Sequence, residues 1–179
     1  MKTKLFYFLA FFAILTGCDK IKDAATVDIA TDLTIDIPVV VQALGKKSSD
    51  QVGNVNAIEF SKTQDLALAS NTDIEPYLEK IKEIDLKSLV VTITGLVGEQ
   101  TINSISMDVT GVGNIFTQNN ITVNNNSFTP EILAGTFDNV AKKLSSDKKI
   151  TITLSGNASG PMSFTVSCNF DTTVIAYLL

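Results

Sequence analysis

The sequence predicts a mainly β protein: an antiparallel β-sandwich, immunoglobulin-like or related, that carries two short helices. Three observations predict it. Apolar residues recur at every second position in one stretch after another, the period of a strand with one buried face. Gly, Asn and Ser separate these stretches as turns. Only two short stretches show helical spacing. One-sided alternation favours antiparallel sheets with one wet face, and the alternative arrangement is a single curved antiparallel sheet wrapped around the helices.

The first strand begins at Val27. Val27, Ile29, Leu33, Ile35, Ile37, Val39 and Val41 occupy odd positions, with Asp28, Asp32 and Asp36 between them. Pro38 marks this as an edge strand or a bent one, because proline cannot donate to a sheet ladder. A polar loop from Gly45 to Gly53 follows, and a weaker strand over 54–62 carries Ile58 and Phe60. Ile74, Tyr77, Leu78 and Ile81 then repeat at i, i+3, i+4 and i+7, which predicts a helix with Asp73 as cap and Pro76 in its first turn. Leu89, Val91 and Ile93 resume the alternation. Gly95 and Gly98 form a turn, Ile105, Met107 and Val109 a strand, and Gly111 and Gly113 another turn. A strand over 115–123 precedes an Asn-rich loop at Asn124–Asn126. The second helix is expected within 130–144, where Phe137, Val140, Ala141 and Leu144 share a face and Gly135 weakens the start. Ile150, Ile152 and Leu154 return to strand. In the last segment Met162, Phe164, Val166, Cys168 and Phe170 are all even, and Val174, Ala176 and Leu178 continue that face. The helices serve as crossovers between the sheets.

The N-terminus has a different character. Lys2 and Lys4 precede eleven uncharged residues, Leu5 to Leu15, and Thr16, Gly17 and Cys18 follow. This is the three-part layout of a secretory signal peptide, and its apolar run is shorter than the roughly 20 residues a membrane-spanning helix needs. Leu15-Thr16-Gly17-Cys18 resembles the lipobox of bacterial lipoproteins. The resemblance covers residues 1–18 and implies cleavage between Gly17 and Cys18, a diacylglycerol on the Cys18 thiol and a further acyl chain, such as palmitate, on its freed amine. Residues 1–17 are then the signal, 18–25 the acylated cysteine and a short tether, and 26–179 a single β-rich domain. The membrane partner is reached through those chains, and two or three together hold a protein stably where one holds it marginally. The expected location is the bacterial envelope: the outer membrane, on its periplasmic face by default, although Asp19 after Cys18 resembles an inner-membrane retention signal of enteric bacteria.

Composition narrows the function classes. Removing 17 residues from 179 leaves 162 and takes Lys2 and Lys4 from the 14 lysines. The remaining 12 face 19 acidic residues, a side-chain charge of about −7. An acidic chain is a poor ligand for nucleic acid, which is bound through basic patches. The chain has no His, Arg or Trp. Without His it lacks the commonest general base near neutral pH and the commonest metal ligand; without Arg it lacks the bidentate clamp for phosphate and carboxylate. No cofactor and no metal site are expected.

Each constellation that suggests chemistry has a plainer reading. Asp28, Asp32 and Asp36 are spaced about 13 Å apart along a strand, too far for one calcium ion with ligands at about 2.3–2.6 Å, so they read as the solvated face of an edge strand. Ser145 to Lys149 contains Ser-x-x-Lys twice, the nucleophile–base spacing of penicillin-recognising serine enzymes. Here it lies at the end of a helix instead of opening one, and the Lys-Thr-Gly partner is absent. Cys168 lies on an apolar face and reads as a small buried hydrophobe. Gly95-x-x-Gly98 and Gly111-x-Gly113 read as turns. Asp171-Thr172-Thr173 resembles the O-glycosylation site of exported Bacteroidota proteins, which implies a glycan on Thr172. A hydrolase built on paired carboxylates lacks the aromatic platform of sugar sites. The function expected is therefore a structural or binding module without catalysis, with an envelope protein or a glycan as partner. The alternative is a carrier or sensor of an apolar ligand, held in a cavity lined by Phe60, Phe164 and Phe170.

Overall fold

The computed structural model describes residues 25–42 and 57–178. The signal peptide, the lipobox with Gly17 and Cys18, most of the tether and the polar loop from Gly45 to Gly53 lie outside the described residues. Eight strands are described: β1 (Thr26–Val41), β2 (Ile58–Ala67), β3 (Ile81–Thr94), β4 (Ile102–Val109), β5 (Gly113–Ile121), β6 (Ser127–Phe128), β7 (Lys149–Ala158) and β8 (Met162–Tyr177). One helix, α1, spans Thr136–Asp147. Sheet A has the order β1-β8-β3-β6 and sheet B the order β2-β7-β4-β5.

Every assigned strand pairing is antiparallel. β1 pairs with β8, β2 with β7, β3 with β6 and β4 with β5. A chain doubled back on itself and rolled so that successive pairs alternate between two sheets is the eight-stranded jelly roll. The sandwich is as expected, but its strand order is not the immunoglobulin one, in which the first two strands lie side by side. Periodicity specifies faces, and says nothing about which strand is whose neighbour.

The core is the space between the inner faces. All eight even positions of β8 from Met162 to Ala176 are buried, as are Leu33, Ile35, Ile37, Val39 and Val41 of β1. Pro38 lies on an edge strand, as its missing N–H requires. Aromatic pairs stitch the two sheets together at both sides. Phe60 of β2 meets Phe164 of β8 edge-to-face at 5.4 Å, and Phe116 of β5 meets Phe128 of β6 at 5.8 Å. Each such pair contributes about 0.5–1.5 kcal/mol beyond the burial of its area. Phe60 is matched by Gly156, where an added Cβ would run into the Ser104 carbonyl oxygen and lie 2.9 Å from the Phe60 ring.

The first expected helix is a six-residue 3-10 segment, Glu75–Lys80, and Ile81 already begins β3. Asp73 does not cap it. Instead the Asn71 side-chain oxygen accepts the N–H groups of Asp73 and Ile74 at 2.9 and 3.2 Å, and Asp73 accepts a hydrogen bond from Thr31 at 3.1 Å. Local side-chain bonds of this kind compete with helix formation; the helical spacing came from a turn that buries Ile74 and a strand that starts at Ile81. The second helix begins at Thr136 and not at 130, because Gly135 is left-handed with φ +80°. It runs three residues past Leu144, ends at left-handed Lys148, and buries Val140, Ala141 and Leu144. The second strand is shifted to Ile58–Ala67, the fifth ends at Ile121, and β6 had no sequence signal.

The strand directions give the molecule two ends. Ala25, the 110–112 turn, the 3-10 segment, the end of α1 and Leu178 lie at one; Leu178 N–H donates to Ala25 O at 3.0 Å and Leu68 N–H to Lys148 O at 2.9 Å. The connections 95–101, 122–126 and 159–161 lie at the other, where Ser159 N–H donates to Thr101 O at 2.9 Å. β1, at 16 residues, separates the two by about 50 Å.

Candidate functional site

The outer faces of the two sheets are the broad polar surfaces of the molecule, and they differ in chemistry. Because β1 buries its odd residues and β8 its even ones, the outer face of sheet A carries Asp28, Asp32 and Asp36 from β1 beside Asp171 and Thr173 from β8. Asp32 lies directly opposite Asp171 in the register and Asp85 lies opposite Thr173. Asp36 accepts a hydrogen bond from the Ser167 hydroxyl. The three β1 aspartates are exposed, as their spacing predicted. This edge is also occupied from the side: Gln64 Nε2 donates to Asp36 O and Asn71 Nδ2 to Asp32 O, both at 3.0 Å.

The outer face of sheet B is a grid of short polar side chains. One row across the strands reads Ser61, Ser155, Ser106, Thr117; the next reads Thr63, Thr153, Asp108, Asn114; a third reads Glu59, Asn157, Ser104, Asn119. Neighbours engage one another: Thr63 with Thr153 at 3.0 Å, Ser106 with Thr117 at 2.6 Å, Asn157 with Ser104 at 2.9 Å and Asn114 with Ser106 at 3.1 Å. At the end of this face Asp65 accepts from Thr151 at 2.6 Å and from Lys149 at 3.2 Å. The Thr151 hydrogen bond first, and then that of Lys149, hold its carboxyl below the usual carboxylate range. Asp108, half-buried in the row with Thr63, Thr153 and Asn114, has no side-chain hydrogen bond or ion pair among the described residues. The grid was not singled out from sequence, although the alternation Ser104, Ser106 and Thr151, Thr153, Ser155 between buried apolar residues was the available signal.

Other candidates fall where their chemistry is muted. Cys168 is buried between Ile35 and Val91 in the register. Burial, and then the negative charge of Asp36, push its thiol up to about 12, so it is a core atom and not a thiolate nucleophile. Thr172 is 0% exposed and its hydroxyl donates to the Phe170 carbonyl at 3.0 Å. A glycan there would have to pull the side chain out of the core, so Thr172 is corrected from a modification site to a core position. In the Ser-x-x-Lys pairs, Lys148 Nζ donates to the backbone oxygen of Ser145 at 2.6 Å, and Lys149 turns to Asp65. Ser146 donates to Asp147, which Lys143 also engages at 2.8 Å; these bonds, led by that of Lys143, hold the Asp147 carboxyl low. Neither serine faces a lysine amine as a base. Phe60, Phe164 and Phe170 are buried in the core, and the first two rings meet edge-to-face. An open groove of about 350 Å³ lies between Lys87–Leu89 and the segment carrying Pro130, Leu133 and Phe137. Among the described residues no group of three or more Cys, Asp or Glu side chains is arranged to hold a metal ion, and no helix is long and apolar enough to cross a membrane.

No protein-family model matches the chain, and no curated protein matches it. A chain in a solved structure of Desmodium yellow mottle tymovirus aligns with 84% of this chain and 90% of its own length, at 14% identity and a TM-score of 0.36. A likeness this loose says nothing of what the protein does.

Proposed function

We propose that the protein is a bacterial envelope lipoprotein: Cys18 is acylated after cleavage at Gly17–Cys18, and the jelly-roll domain is a non-catalytic binding or structural module held at the membrane, with the periplasmic face of the outer membrane as its location. The observation that carries this reading is Leu15-Thr16-Gly17-Cys18, directly after a charged start and an eleven-residue apolar run. The position of Thr26 supports it. Seven residues, Asp19 to Ala25, span about 25 Å at most, and they join the sandwich at the end that also holds Leu178. That end therefore stays close to the bilayer, and the opposite connections project away from it.

Cells grown with labelled palmitate test the reading. The chain is expected to carry the label and to fractionate with membranes, and Cys18→Ser is expected to lose both the label and the processing. An unlabelled chain that remains in the envelope, with the Cys18→Ser form behaving identically, would overturn it.

A further inference from the structure

We infer that the outer face of sheet B is a binding face for a neutral, hydroxyl-rich glycan, with Asp108 as its anchoring acceptor. The inference specifies the partner of the binding module proposed above, but it requires no acyl chain.

Three features of the face point to that ligand class. The first is shape. Strands stand about 4.8 Å apart and outward residues about 6.6 Å apart along each strand, and every position in the rows through Ser106 and Asp108 ends a few atoms from the backbone. A platform of that kind lets an extended polymer lie flat, where long surface side chains would hold it off. The second is charge. The rows through Ser106 and Asp108 contain one carboxylate and no cation. Phosphorylated or uronic polymers find nothing to neutralise them there, whereas neutral polyols lose nothing. Sheet A, with Asp32 facing Asp171, offers no such neutral ground. The third is the state of Asp108. The Asp65 and Asp147 carboxylates are occupied by hydroxyl and lysine donors, while Asp108 is half-buried, flanked by Thr153 and Asn114, and open. A carboxylate accepts from two adjacent hydroxyls at once, and a hydrogen bond to an ionised acceptor is about twice as strong as a neutral one. Vicinal hydroxyls of a sugar ring present that pair of donors; Ser155 and Thr117 in the adjoining row supply the donors and acceptors for its neighbours.

Titration calorimetry of the full chain in detergent micelles tests the inference, with laminarin, mannan and dextran as neutral probes and alginate as the acidic one. Binding to at least one neutral polymer and none to alginate is expected. Asp108→Asn, which keeps the shape, should weaken binding about tenfold, the size of one lost charged hydrogen bond. Ser155→Lys should abolish it, and Thr34→Lys on the outer face of sheet A should leave it unchanged. If Ser155→Lys does not fold, Ser61→Lys on the exposed edge strand makes the same test. Failure of all three neutral polymers to bind would overturn the inference, as would equal loss on Thr34→Lys. A dimer in sedimentation equilibrium that Ser155→Lys dissociates would also overturn it, assigning the face to a second copy of the chain. The anchor is judged separately: an unacylated chain that binds glycan refutes the anchor alone, and an acylated chain that binds none refutes this inference alone.

Discussion

Sheets A and B enclose the same core and are specified in different ways. The three long strands of sheet A run 14 to 16 residues, and β8 holds eight buried even positions without a break. The strands of sheet B run 8 to 10 residues, with irregular pairing near Ile102–Ser104 and Met107–Asp108 and a glycine wedged against a neighbouring backbone. In sheet A the sixteen-pair β1–β8 ladder is unbroken, and a one-residue slip would turn its whole apolar set outward, while the β3–β8 ladder shifts register between Ile81 and Glu83 and between Leu86 and Ser88. Sheet B has shorter ladders and depends on Gly156 for the close approach of β7 to β4. Their coats differ too: facing carboxylates on A, interlocked hydroxyls and amides on B.

The largest expected effect separates the two specifications. Gly156→Ala in sheet B should cost about 3 kcal/mol, because the new methyl meets the Ser104 carbonyl and the Phe60 ring. Cys168→Ala, a change of one heavy atom at the centre of sheet A, should cost only about 1 kcal/mol. Urea unfolding of both variants checks the contrast, and similar losses would break it. Thr172→Val comes next. It removes a buried hydroxyl that donates to Phe170 O, and a loss of about 1 kcal/mol is expected; a stabilised variant would show that the hydroxyl is not needed in sheet A.

The smallest effects concern the coats, and they carry opposite signs. Asp171→Asn relieves the pair with Asp32 and should stabilise by about 0.2–1 kcal/mol. Asp65→Asn removes the acceptor of Thr151 and Lys149 and should destabilise slightly. Because the folded Asp65 carboxyl lies below its unfolded value, its contribution is fully present above about pH 4 and is lost as pH falls through the folded value. Melting curves between pH 2 and 7 should therefore be flatter at the acid end for Asp65→Asn than for the parent. If both substitutions shift stability in the same direction, the two coats do not differ as described.

Much of sheet A was legible in the sequence, because alternation is the direct trace of a half-buried strand. The alternation places β1 within a residue and the even face of β8 through Ala176; Leu178, expected to continue that face, lies past the strand and is exposed. Sheet B was less legible, with β2 displaced by several residues; within sheet A, β6, two residues long, left no period to detect. The Ile74–Ile81 spacing imitated a helix because a turn anchored by Asn71 and the start of β3 happened to place apolar residues at the same intervals. Pairing between β1 and β8, more than a hundred residues apart in the chain, has no local signature at all. The polar grid was written in the sequence as Ser and Thr between apolar residues, but only the register brings Ser61, Ser155, Ser106 and Thr117 into one row. Thr172 went the other way: three residues suggested an exposed acceptor, while the even periodicity of the same strand already placed it inside.

The attachment of the domain is tested most directly by the intact mass of the protein isolated in detergent from its native membrane. The predicted result is a chain that begins at Cys18 and carries the added mass of a diacylglycerol, with or without an N-acyl chain. A chain that retains residues 1–17, or begins elsewhere with an unmodified Cys18 thiol, would contradict it.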